Sequence, residues 1–128
     1  MEIRIEEVLD ATRGWVRFRS GAELVTGCWV GSGEVPVGRA LHVEVEVSEE
    51  AVLSVRPAVG PPWVPVAQDG DVVVIVGRVE RVEDDGVIDF RVGDDVVLLD
   101  GTGLLTEVVE GAHVELRVPE VRLYPYEL

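Results

Sequence analysis

The sequence predicts an all-β protein with an internal duplication, arranged either as two five-stranded small barrels or as one merged β-barrel or sandwich. At most one short helix is expected, over about residues 104–110. Three observations lead there. Apolar residues make up 47 % of the 128-residue chain and Val dominates them, while aromatics supply only 5 %, a mixture that suits pleated, half-buried strands. Apolar and polar residues alternate at period two in short runs bounded by Gly, Asp and Pro. Finally, HVEVEV at 42–47 returns as HVELRV at 113–118.

Taken in order, EIRIEEV puts Ile3 and Ile5 on one face and Arg4 and Glu6 on the other. WVRFR puts Val16 and Phe18 inward and Trp15, Arg17 and Arg19 outward, and ELVTGCWV, RALHVEVEV and AVLSV complete a first unit, residues 1–56. Residues 57–71 read as a connection: Pro57, Pro61, Pro62 and Pro65 cannot donate to a sheet interior. A second unit, 72–128, begins with the continuous apolar run DVVVIV and continues through GVIDFRV, DVVLLD, AHVELRV and EVRLY. DDG at 84–86 and GDD at 93–95 have the residues that tight hairpin turns prefer. The units align residue by residue: Gly14, Val16, Phe18 and Gly21 match Gly86, Ile88, Phe90 and Gly93 at one shift, and His42 and Val43 match His113 and Val114 one residue short of it. The two units are expected to pack as one compact domain.

Five short strands per unit, joined by such turns and closed by RLYP, resemble small barrels of the OB type. LLTEVVE at 104–110 lies where such a barrel carries its helix, although its apolar spacing suits a strand as well. The likeness is architectural. Tandem oxyanion-binding barrels share the duplication, but the Ser-Ala-Arg-Asn signature of molybdate binders has no counterpart here, so no residue roles follow from it.

Charge is the most informative bulk property. There are 25 acids against 11 basic residues, a net charge of −14, and every basic residue is Arg. Residues 1–56 carry −4 and residues 74–128 carry −8, so the second half should repel phosphate backbones and attract basic surfaces. An acidic surface that serves solubility alone is the competing explanation. Without Lys there is no Schiff-base chemistry and no Walker loop. His42 and His113 fall on outward strand faces, Cys28 lies inside a strand away from any ligand spacing, and the acidic turns match no calcium-binding repeat. No catalytic residues, metal or cofactor are therefore expected. No run approaches the roughly 20 apolar residues of a membrane helix, and a lone cysteine fits a reducing compartment, so the expected setting is cytoplasmic, with no membrane and no nucleic-acid partner.

The expected function is that of a non-enzymatic acidic interaction protein that binds a basic protein partner, as an immunity or inhibitor protein does. Glu83, Asp84, Asp85, Asp89, Asp94, Asp95 and Asp100 would form the acidic contact surface, and Trp15, Trp63, Tyr124 and Tyr126 are the aromatic anchor candidates. Trp15 beside Arg17 and Arg19 has the composition of a single-strand stacking site, but the second unit places Val87, Asp89 and Arg91 there, and covering a neighbouring segment explains Trp15 more simply. Two alternatives stay open: a small-ligand module that uses a barrel mouth or the seam between units, and a structural protein that assembles into a homo-oligomer through free strand edges.

Overall fold

The computed structural model of the chain describes residues 1–48, 51–59, 64–100 and 109–126. Among the described residues eleven strands follow one another: β1 (Glu2–Asp10), β2 (Trp15–Ser20), β3 (Glu23–Trp29), β4 (Ala40–Ser48), β5 (Ser54–Pro57), β6 (Val66–Asp69), β7 (Val72–Val82), β8 (Val87–Val92), β9 (Asp95–Asp100), β10 (His113–Val118) and β11 (Val121–Pro125). No α-helix occurs among the described residues. Most of the helix expected over 104–110 lies outside them, and Val109 and Glu110, which are described, are not helical.

The period-two reading holds strand by strand. Ile3 and Ile5, Val16 and Phe18, and Val43, Val45 and Val47 are all buried, while Glu44 and Glu46 stay partly exposed. In β7 the apolar run resolves into Val73, Ile75 and Val79 inside and Val72, Val74 and Val76 half-covered. Ile88, Phe90 and Val92 of β8, Val97 and Leu99 of β9, and Val114, Leu116 and Val118 of β10 join the same hydrophobic cluster as the β1–β4 residues. Burying those aliphatic and aromatic groups supplies the main driving force for the fold.

All eleven strands belong to one sheet, and part of it closes on itself. β1 pairs with β2, β2 with β3, β3 with β11, β11 with β4, and β4 returns to β1 through Glu2↔His42, Ile3↔Leu41 and Arg4↔Ala40. This is a closed five-strand barrel, barrel-like in the manner of the OB fold. Its β3–β11 ladder is parallel, with Val121 opposite Gly27 and Leu123 opposite Trp29. The extra strands continue from β4, which pairs in parallel with β9, and run on through β8, β7, β10 and β5.

Pairing partners are where the sequence pattern falls short. The fifth place in the ring belongs to β11, from the end of the chain, whereas β5 pairs with β10 through Val55↔Leu116 and Pro57↔Val114. Period-two alternation fixes which face of a strand is buried and leaves its neighbour open. Within the proline-rich connection, Val66–Asp69 is itself a strand. β6 occupies the edge of β7 at residues 72–75, ahead of β8, which takes residues 78–82. Pro57 closes β5 at its end and Pro65 stands just before β6, positions where a missing N–H does not break a ladder.

Two glycines are needed for different reasons. Gly21 begins the two-residue turn between β2 and β3 with φ of 59°, a conformation that costs an L-residue about 1–2 kcal/mol. Gly77, in β7, has no such torsion, but a Cβ there would strike the Arg91 carbonyl of the adjacent strand. Gly77→Ala should therefore destabilise the protein by about 2 kcal/mol or more in urea unfolding, and Gly21→Ala, with open space around it, by about 1 kcal/mol. Equal losses would show that the backbone approach at Gly77 is not tight.

Candidate functional site

The acidic residues named from the sequence lie along the β7–β8–β9 meander. Glu83, Asp84 and Asp85 form the β7–β8 turn, where the Val87 N–H donates to Asp85 Oδ1 at 3.1 Å and the Glu83 N–H donates to the Val87 carbonyl. Asp100 stands beside that turn, opposite Val87. Asp94 and Asp95 form the β8–β9 turn at the other end, and Asp89 lies midway along β8, opposite Leu98 of β9. The two clusters thus sit at opposite ends of the hairpins. No group of three or more His, Cys, Asp or Glu side chains is arranged to hold a metal ion among the described residues.

These carboxylates differ in how far they are neutralised. Glu83 is met by Arg81 at 3.2 Å, and Asp95 by the amino group of Met1 at 3.4 Å. Asp84, Asp89, Asp94 and Asp100 have no ion pair among the described residues. Of the arginines nearby, Arg91 pairs with Glu80 at 2.8 Å and donates to the Asp94 carbonyl at 3.3 Å, Arg117 pairs with Asp69 at 2.8 Å and Arg122 with Glu46 at 3.2 Å, while Arg78, exposed on β7, has no ion pair among the described residues. The Arg91 guanidinium also holds the Glu80 carboxyl below its ordinary range by hydrogen bonding. Across the sheet, β4 adds Glu46 opposite Leu98 and Ser48 opposite Asp100. The sequence did not reveal that β4 extends this surface, because the β4–β9 pairing joins segments far apart in the chain.

The aromatic candidates separate. Trp15 is half-buried and lines a cleft of about 300 Å³ with Leu24, Thr26, Gln68 and Asp71. Beside it, Gln68 Oε1 accepts from the Thr26 N–H at 2.9 Å and from Thr26 Oγ1 at 3.1 Å. β6 thus docks along the outward side of β3. Arg17 is paired with Glu7, and Arg19 with Glu6 at 3.0 Å. Tyr124 is half-buried on β11 opposite Glu44, and Tyr126 is 58 % exposed. Trp63 lies outside the described residues.

A cleft that the sequence did not announce lies at one mouth of the closed barrel. The segment after β3 returns across β1, where the Gly38 N–H donates to the Ile5 carbonyl and Val37 bridges Ile5. It encloses two adjoining hollows of about 670 and 660 Å³ that share Glu34, Pro36 and Arg39. Trp29, Leu41, His42 and Tyr126 line the second. Trp29 is buried at the end of β3 while Cys28 beside it is only partly so, and the strand pattern gives no hint that a loop folds back there.

Cys28 donates weakly to the Arg13 carbonyl at 3.4 Å. Burial raises its thiol pKa, the Glu120 carboxylate raises it further, and Arg122 and Arg13 oppose the shift. Iodoacetamide alkylation at pH 7.5 should accordingly be slower than that of a free thiol, and Glu120→Gln should speed it; a rate equal to that of glutathione would contradict this.

The Glu80–Arg91 pair predicts a pH response with a definite sign. A lowered carboxyl pKa contributes stability above the unfolded value, near 4.5, and that contribution is lost as pH falls through the folded value. Glu80→Gln should therefore have a lower Tm than the parent at pH 7 and a smaller deficit at pH 3, read by thermal melts. A deficit that did not change with pH would assign the loss to packing.

Compared with protein families, curated proteins and solved structures, the chain matches none.

Proposed function

We propose that this chain is a non-enzymatic, cytoplasmic interaction protein whose acidic β8–β9 surface binds a basic protein partner, in the manner of an immunity or inhibitor protein. The observation that carries the reading is the uneven use of charge. Arg81, Arg91, Arg117 and Arg122 are held by carboxylates, which leaves Arg78 as the one arginine of this half without an ion pair among the described residues, whereas four carboxylates, Asp84, Asp89, Asp94 and Asp100, have none. Carboxylates without a direct ion pair, held on strands and tight turns at both ends of the meander, are pre-organised to meet guanidinium and ammonium groups and to steer their approach. Glu46 of β4 lies across the sheet on the same face but is already paired with Arg122.

The fold itself is best explained as a duplicated OB-type unit whose last strands have changed places. Glu6 and Glu80 both sit at a register shift in the first strand of their unit, and each pairs with an arginine of the next strand, Arg19 and Arg91. Gly38 and Gly111 both donate to the residue before that shift, Ile5 and Val79. Leu123 faces Val45 as Val55 faces Leu116. Such a set of matched irregularities follows simply from duplication. At the outward face of β2 the two halves have diverged in charge: Glu7 opposes Arg17, whereas Arg81 opposes Asp89.

The test is a pull-down of tagged protein from a lysate of its own source, eluted with rising salt and identified by mass spectrometry. A basic protein released at moderate salt is the expected result. Its association with the Asp84→Asn, Asp94→Asn, Asp100→Asn variant should be about tenfold slower at low salt, and the difference should fade as salt screens the surface. Recovery of the tagged chain alone at every salt step, or unchanged association by the variant, would overturn the proposal.

A further inference from the structure

The cleft at the barrel mouth combines features that the acidic surface does not use. One wall is apolar, built from Trp29, Leu41, Pro36 and Tyr126. On its rim stand one carboxylate, Glu34, and one guanidinium, Arg39, which line both hollows. Neither forms an ion pair or hydrogen bond with the other or with any described residue. Their neighbours are already engaged: His42 Nε2 lies 3.5 Å from Glu2, and Arg4 Nη2 donates to the Gly38 carbonyl at 2.8 Å. Trp29 is 8 % exposed, and its Nε1–H is buried without an acceptor, a condition that costs stability unless something accepts the bond. Gly31 lies against it so closely that a side chain there would meet Nε1 at 2.7 Å.

Charge decides among ligand classes. A bare anion would suit Arg39 but must approach a protein of net −14, and a bare cation would leave Arg39 facing it. A ligand with both charges and no net charge satisfies both rim groups without opposing the protein's field. We propose that the cleft between the 30–39 segment and the barrel mouth binds a small zwitterion with an apolar side group, the chemistry of an α-amino acid. Its carboxylate would be held by Arg39, its ammonium by Glu34 and its side group by the Trp29, Leu41 and Pro36 wall. An apolar wall beside a few polar groups that set orientation is the usual form of small-molecule sites. The assignment is independent of the acidic-surface reading, because it uses none of its carboxylates.

Isothermal titration with L-phenylalanine and L-leucine tests it, with 3-phenylpropionate, phenethylamine and glycine as the partial ligands. At about 10 mM, where even a millimolar site is largely filled, at least one of the two amino acids should bind. Each partial ligand should bind about tenfold more weakly or not at all. Arg39→Gln and Glu34→Gln, both at exposed positions, should each weaken binding about tenfold while circular dichroism and Tm stay as in the parent. Arg13→Gln, an exposed arginine outside the cleft, should leave binding unchanged. Silence from both amino acids overturns the proposal. So does phenylpropionate binding as tightly as phenylalanine with no effect of Glu34→Gln.

Discussion

The whole arrangement depends on one backbone ladder, the insertion of β11 between β3 and β4. Leu123, fully buried, faces Trp29 on one side and Val45 on the other, and the Val30 N–H donates to the Leu123 carbonyl at 3.0 Å just beyond the ladder. Without that strand β3 and β4 would each present an unpaired edge, with polar backbone groups in need of partners. With it, the barrel is closed by β11. β5 makes the converse connection by pairing with β10. Each half therefore holds a strand that comes from the other half of the sequence.

This exchange couples the fold to the two surfaces discussed above. Because β4 carries β11 on one edge and β9 on the other, the barrel wall continues without a break into the acidic meander. The carboxylates of β8 and β9 are thereby displayed from a rigid sheet rather than a loose appendage. Pro125, the last residue of β11, and Tyr126 directly after it line the cleft at the barrel mouth. The strand that closes the ring thus also helps to form its rim.

Much of this was legible in the sequence, and the boundary of legibility has a physical origin. Inward and outward faces follow from alternation, so the burial of Phe18, Phe90 and Val45 and the exposure of the acidic turns could be read directly. The separation of Asp84 and Asp85 from Asp94 and Asp95 follows from meander geometry alone. Partner choice does not follow, because the β3–β11 and β4–β9 ladders join segments far apart in the chain and local pattern carries no record of them. The continuation of the meander's face onto β4 and the cleft beside Trp29 were hidden for the same reason. Gln68 was hidden for another: a single amide within a proline-rich connection gives no local sign that it will bond to Thr26.

The most direct test of the central claim is amide hydrogen exchange in the parent and in Leu123→Ala, a truncation expected to cost about 2–5 kcal/mol. If β11 ties both halves into one cooperative unit, protection of the slowest amides in β2 and β3 and of those in β7 and β8 should fall by the same amount. If protection falls in β1–β4 while β7–β10 exchange as in the parent, the halves unfold independently and the exchanged strand does not couple them.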